Sequence, residues 1–345
     1  MAKTSRIVSS DHRHLLGLAA LTVAIFVAMS LARPGLFLTG ANMQSMAFQF
    51  PEYAILALAM MTAMLTGGID LSIIGTANLS SILAALAMTA LFPTGGNAVA
   101  VLALALLVGL SVGCLCGVIN GLFIAGIGLP PILATLGTGI VYTGIGVVVT
   151  GGSAVVGLPD SFAVLGNAAV WAVPVPLLVF AAVAVVMAFV LNRTIYGHSV
   201  YLFGTNPRAS RFAGLKNGRL NMTTYMISGT LAALAGLILI SRANSAKADY
   251  AESYLLITVL IAVLGGTNPY GGVGRVLGVV LAVLSLQFLS SGLNMLQVSN
   301  FAKEFVWGLT LLLAMSVTRI EWRRMIDFSG VGRGRSPNAA TGDKP

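Results

Sequence analysis

Asp70 lies between two long apolar runs, within Thr66-Gly67-Gly68-Ile69-Asp70-Leu71-Ser72. A carboxylate in such a place has three uses. It can cap the free amides at a helix start, line a path through a membrane, or hold a proton or cation. Glu52, the other acid in an apolar stretch, reads as an interfacial residue. His12, His14 and His198 lie at the edges of apolar runs or in polar segments, with no nucleophile or metal-ligand spacing around them. Cys114 and Cys116, two residues apart, point to different faces of a helix and read as small packing residues rather than a disulfide or a metal site. The chain holds no Gly-x-x-x-x-Gly-Lys-[Ser/Thr], so it binds no nucleotide by that route. These residues supply no catalytic constellation, no metal ligands and no cofactor site.

The elements that carry them are set by composition. Hydrophobic residues make up 57% of the 345, charged residues 8%, and mean hydropathy is +0.94; a soluble domain carries roughly 25% charge. An ordinary cytosolic enzyme, a nucleic-acid binder and a disordered chain are all excluded. Residues 71–159 contain no Asp, Glu, Lys, Arg or His. Backbone amides find no water in lipid, so such runs must be helices or a closed barrel. They lack the two-residue alternation of barrel strands. The sequence therefore predicts an all-α integral membrane protein, a polytopic bundle of about ten transmembrane helices.

Cutting at Gly, Pro, Asn and charge places the spans near 14–32, 45–66, 73–92, 98–120, 130–150, 169–191, 221–241, 254–270, 274–293 and 304–319. Pro51 and Glu52 make the second span start late or kink. Gly265, Gly266, Pro269, Gly271 and Gly272 make the eighth short or broken. Segments 1–13, 192–220 and 319–345 hold 3, 5 and 6 of the nineteen Lys and Arg. Basic residues stay cytoplasmic. Even numbers of spans separate the three segments, so all can face the cytoplasm together, as can both termini. Lys3, Arg6 and Arg13 before an apolar run ending in Ser30-Leu31-Ala32 resemble a signal peptide, but the length of the run and the following Arg33-Pro34 favour a retained span.

Two further patterns stand out. Gly109, Gly113, Gly117 and Gly121 recur every four residues and form one smooth helix stripe, suited to close packing or to helices that slide, with Asn120 beside it able to bond across the contact. The basic segment 192–220 carries Arg193, Arg208, Arg211, Lys216 and Arg219 and no acid. Inside it, Asn206 reads as an N-cap, Pro207 as the first helical residue and Gly214 as the stop. Ala209, Phe212 and Ala213 would form a small apolar face. A helix this short cannot stand alone in water. It packs on its own bundle, docks in a partner's groove, or lies on acidic lipid.

Gly67-Gly68-Ile69-Asp70-Leu71-Ser72 after an apolar span resembles the signature of the ribose-type ABC sugar permeases (monosaccharide, autoinducer-2, rhamnose). Tyr196-Gly197-His198 through Gly204-Thr205-Asn206-Pro207-Arg208-Ala209-Ser210 is similar to that family's G-x-x-x-x-x-x-G-x-N-P-x-A-A stretch, with Ser210 in place of a second Ala. Ser228-Gly229-Thr230-Leu231-Ala232-Ala233-Leu234-Ala235-Gly236, Gly265-Gly266-Thr267-Asn268-Pro269-Tyr270-Gly271-Gly272 and Ser291-Gly292-Leu293-Asn294 extend the likeness in order, from about residue 50 to 318.

The resemblance implies a permease subunit of a bacterial inner-membrane importer, paired with a second copy or a paralogue as a homo- or heterodimer. A periplasmic binding protein would deliver a monosaccharide or related small polyol, and cytoplasmic ABC ATPase subunits would supply the energy. Residues 14–320 would be the transmembrane permease domain, 1–13 a cytoplasmic tail and 321–345 a cytoplasmic tail that faces membrane lipid. Residues 205–214 would be the coupling helix, with Asn206, Pro207, Arg208, Arg211 and Phe212 at the ATPase contact. Outer loops 33–44, 93–97, 151–168 and 242–253 would meet the binding protein, with Arg242, Lys247, Asp249 and Glu252 as rim charges. No enzyme activity, cofactor or nucleic-acid partner is implied. A branched-chain amino acid permease and an ATP-independent secondary transporter remain as alternatives.

Overall fold

The computed structural model describes residues 2–93, 96–299 and 302–312, with side chains from His14 onward. It is a polytopic helical membrane protein. In chain order the elements are α1 (Ala2–Ala32), α2 (Pro34–Phe37), α3 (Gly40–Leu65), α4 (Ile73–Leu91), α5 (Ala98–Gly121) and α6 (Pro131–Thr150). After a short strand β1 (Val155–Val156) come α7 (Val164–Asn167), the hairpin β2 (Ala169–Val170) and β3 (Val173–Pro174), and α8 (Val175–Arg193). Then follow α9 (Ile195–Thr205), α10 (Pro207–Phe212), α11 (Asn217–Ala243), β4 (Ser245–Ala246), α12 (Tyr254–Leu264), α13 (Val276–Met295) and a helical stretch α14 over 302–312.

Eight helices among the described residues are long and apolar enough to cross a membrane. The expected eighth span is the 11-residue α12, cut short by the glycines that follow it. The expected tenth, 304–319, falls partly in α14; its remainder and the tail 321–345 lie outside the described residues. Residues 2–13, expected to be a tail, continue α1 as helix.

Two boundaries moved for identifiable reasons. The second span was expected to start late or kink at Pro51. Instead α3 begins at Gly40, where the Thr39 hydroxyl accepts the Asn42 amide at 3.3 Å, and continues through Pro51. A helix embedded among neighbours tolerates proline because surrounding groups re-satisfy the freed carbonyl. The sixth span starts at Val175 rather than 169, because Ala169–Pro174 folds into a hairpin whose two turn residues, Trp171 and Ala172, both have positive φ. Such a turn is usually built from Asn and Gly, and nothing in Trp-Ala announces it.

α3 is the axis of the bundle. Every residue from Ala54 to Leu65 is buried, and α3 packs on α8, α11, α12 and α13. α11 also packs along α5 and α4, while α1 lies against α13. Contacts near helix ends sort the loops into two faces. Turns 66–72 and 265–275 meet α9 on the face carrying the basic segment, where Gly204 touches both Leu65 and Gly272. On the opposite face β1 pairs antiparallel with β4, Val155 opposite Ala246. There the Ser241 hydroxyl donates to the Phe162 carbonyl at 2.7 Å and accepts the Gly166 amide at 2.8 Å. Residues 151–168 and the end of α11 thus form one fastened surface.

Candidate functional site

On the basic face, α10 is built as its residues require. The Asn206 carboxamide oxygen accepts the amides of Arg208 and Ala209 at 3.1 and 3.0 Å, occupying two donors that have no partner inside a helix start. Pro207 needs no such partner. Gly214, at φ +80°, turns the chain away. Ser210 is the buried side of the helix: its hydroxyl donates to Asn217 Oδ1 at 2.8 Å, and the Asn217 amide returns to the Pro207 carbonyl at 2.9 Å. α10 is thereby pinned to the start of α11. The other side faces outward. Arg208, Ala209, Arg211 and Ala213 are exposed, and Phe212 is 94% exposed, so the apolar face does not pack on this chain.

The segment is also tied to the bundle core. At Gly204, near the end of α9, a methyl group would overlap the Leu65 carbonyl and the Gly272 amide. The backbone carrying α10 therefore rests directly on the end of α3 and on turn 265–275. A displacement of α10 pushes on both.

Asp70 is 1% exposed. Its Oδ1 accepts the Ser72 amide at 3.0 Å and the Ser72 hydroxyl at 2.6 Å; its Oδ2 accepts the Ser228 hydroxyl at 2.7 Å. Among the described residues no basic group lies within ion-pair distance of it. The Ser72 hydroxyl in turn accepts from Asn120 Nδ2 at 2.7 Å, and Thr138 donates to Asn120 Oδ1 at 2.6 Å. Thr135 adds a bond in each direction to the same turn, at Ile69 and Leu71. One carboxylate thus joins the entry of α4 to α5, α6 and α11. Asn120 bonds to the α4 entry and to α6 rather than across the contact of the glycine stripe, which is with α11.

Beside it, the glycine stripe of α5 faces α11. Methyl groups at Gly109, Gly113, Gly117 and Gly121 would meet Leu237, Gly229 with Ala233, Tyr225 and Met222 in turn. The order runs backward along α11, so the two helices are antiparallel with backbones in contact.

A third arrangement lies toward the opposite face. Arg242 Nη1 donates to Glu52 Oε1 at 2.5 Å; the Glu52 side chain is 1% exposed and that of Arg242 29%. The Tyr254 hydroxyl reaches Glu52 Oε2 at 3.4 Å, and the Tyr53 hydroxyl donates to Gln287 Oε1. The rings of Tyr53 and Tyr254 meet edge to face at 5.7 Å. Arg242, Tyr53, Tyr254 and Gln287 border a cavity of about 210 Å³, as do Ser290 and Trp307. The sequence places Glu52 as an interfacial residue and Arg242 as a rim charge; the structure pairs the two with each other. The available signal was an acid in the second span and a base closing the seventh, both toward the same side.

Of the other charges on the face opposite the basic segment, Lys247 Nζ pairs with Asp249 Oδ2 at 2.7 Å on the exposed loop. The hydrogen bond between them, and then their opposite charges, raise the ammonium's pKa and lower the carboxyl's. Asp249 therefore stays charged through its ordinary range, and the pair is lost only as pH falls below that range. Among the described residues no three His, Cys, Asp or Glu gather as a metal site, and Cys114 and Cys116 are both free.

Residues 42–315 match a family profile described as "Branched-chain amino acid transport system / permease component". The chain is 35% identical over 297 residues to the ribose import permease protein RbsC of Bacillus subtilis (strain 168), covering 86% of this chain and 89% of that one. It is 32% identical over 293 residues to the autoinducer 2 import system permease protein LsrD of Klebsiella pneumoniae, covering 81% and 86%. A protein of the same description from Yersinia enterocolitica is 32% identical over 288 residues, covering 82% and 85%.

Proposed function

The chain belongs to the permease family of binding-protein-dependent importers just described, and from that premise we propose that it forms the translocation path for a monosaccharide or related small polyol. It is a transport subunit, not an enzyme, and members of its family work with ATPase and substrate-binding partners. In this reading it sits in the bacterial inner membrane with the basic face, and both termini, toward the cytoplasm. It pairs with a second copy or a paralogue. Its ribose and autoinducer 2 relatives favour sugars over branched-chain amino acids.

The observation that carries the reading is α10: a capped, pinned helix presenting two arginines and an almost fully exposed phenylalanine. An aromatic side chain left in solvent beside cations fits an apolar groove with an acidic rim on another protein. We assign that groove to an ATPase subunit. Closure of the ATPase pair moves the two α10 helices together. The push passes through Gly204 to the end of α3 and to turn 265–275. Each bundle shifts as a body between outward- and inward-open states. The fastened surface of 151–168 and 242–253 receives the binding protein.

The experiment is Arg211→Glu with Phe212→Ala in vesicles holding the full complex. Insertion stays intact while ATP hydrolysis no longer drives uptake. Unchanged uptake contradicts the assignment, and uptake in vesicles without ATP supports a secondary transporter instead.

A further inference from the structure

We propose that the cavity between α3, α11, α12, α13 and α14 is a binding subsite for a small, neutral, polyhydroxylated molecule, and that the Glu52–Arg242 pair makes it reject free amino acids and phosphorylated sugars. The proposal rests on the permease reading above and specifies its substrate class. At about 210 Å³ the cavity is far larger than the ~15 Å³ a single water needs. It is smaller than the roughly 300 Å³ at which pockets for drug-sized ligands begin.

Its walls combine two chemistries. Tyr53, Tyr254 and Trp307 supply aromatic surface. Aromatic faces carry partial negative charge and attract the weakly positive C–H patches of a sugar ring. Arg242, Gln287 and Ser290 supply hydrogen-bonding groups between those rings. Gln287 uses its carbonyl oxygen on Tyr53, which fixes the orientation of its amide and leaves that nitrogen for a ligand. Arg242 uses Nη1 on Glu52 and keeps further N–H donors in its planar fork. A ligand hydroxyl entering here exchanges water for fixed partners, which is what makes burial of a polar group tolerable.

Charge then selects among polar ligands. Among the described residues Arg242 is the one charged side chain lining the cavity, and Glu52 Oε1, 2.5 Å from its Nη1, neutralises it. A free amino acid brings an ammonium and a carboxylate that each need an opposite charge; meeting them requires breaking a largely buried ion pair, which is strongly unfavourable. A sugar phosphate meets no uncompensated cation. A neutral sugar needs neither.

The test uses intrinsic fluorescence of the purified permease in lipid nanodiscs. The chain has three tryptophans, so Trp171→Phe with Trp322→Phe leaves Trp307 as the reporter. D-ribose, L-rhamnose, D-glucose, ribose 5-phosphate and L-leucine are titrated separately. A saturable Trp307 response to at least one neutral sugar, with none to leucine or the phosphate, is expected. Gln287→Leu weakens that response about tenfold, the equivalent of one lost hydrogen bond. Ser290→Val provides a second, smaller change should Gln287→Leu fail to fold. Silence toward every neutral sugar, a response to leucine or the phosphate, or an unaltered curve in both variants overturns the proposal. ATP-driven uptake by the full complex is measured in parallel. Uptake of a sugar to which Trp307 is silent removes the subsite but leaves the importer reading standing, whereas absent uptake of any sugar removes the latter.

Discussion

Gly113 and Gly229 press backbone against backbone: a methyl group on either would overlap the carbonyl oxygen of the other. Neither helix can yield by rotating a side chain, because the obstructing atoms are main chain and the fixed Cβ of Ala233. Gly113→Ala is therefore expected to destabilise the bundle by about 1–3 kcal/mol through forced separation of α5 and α11. The control is Gly137→Ala on α6, where an added methyl meets nothing within 4 Å. Thermal unfolding in detergent separates them: the first variant melts lower, the second melts with the wild type or slightly above it.

Removing the cap of α10 should weaken coupling before it affects insertion. Asn206→Ala leaves the Arg208 and Ala209 amides without their partner and costs about 1 kcal/mol of local helix stability. Asn206→Asp keeps an accepting oxygen in place. Comparing sugar uptake per ATP hydrolysed, the alanine variant falls and the aspartate variant stays near wild type.

Asp70 accepts three hydrogen bonds, and among the described residues no cation pairs with it. That geometry assigns it to holding the α4 entry against α11, and its variants should read as loss of stability. Asp70→Ala strands the Ser72 and Ser228 donors at roughly 1–3 kcal/mol each. Asp70→Asn retains one accepting oxygen and costs less. Transport by the surviving protein should show an unchanged KM; a KM that moves with either substitution would place the carboxylate on the substrate path.

Local chemistry made part of this legible. Asn206, Pro207 and Gly214 punctuate α10 because capping, a missing amide and positive φ are decided within a few residues. The four-residue spacing of Gly109, Gly113, Gly117 and Gly121 announced a contact face because helix geometry repeats. What it could not announce was the partner, α11, more than a hundred residues on. Glu52 and Arg242 were hidden for the same reason: each looks like an edge residue until α3 and α11 are placed side by side. The start of α8 was hidden differently, since the Trp171–Ala172 turn uses residues that turns ordinarily avoid.

The Glu52–Arg242 pair predicts a distinct mutational pattern. Arg242→Gln leaves a carboxylate with almost no access to water and should be strongly destabilising. Its cost falls short of the 3–5 kcal/mol of a fully buried pair because the arginine is partly solvated. Glu52→Gln costs less, since the arginine can turn toward solvent. The double variant should melt above Arg242→Gln alone, which a double-mutant cycle on melting temperature checks.

The central claim is that the basic segment with α10 docks an energy-supplying subunit on the cytoplasmic side. Phe212→Cys, in a chain whose Cys114 and Cys116 are replaced by serine, tests it with a membrane-impermeant maleimide. The account predicts no labelling in intact spheroplasts, ready labelling in inverted vesicles, and protection there when the ATPase subunits are bound. Labelling of residue 212 from outside the cell, or labelling in inverted vesicles that bound ATPase leaves untouched, would contradict it.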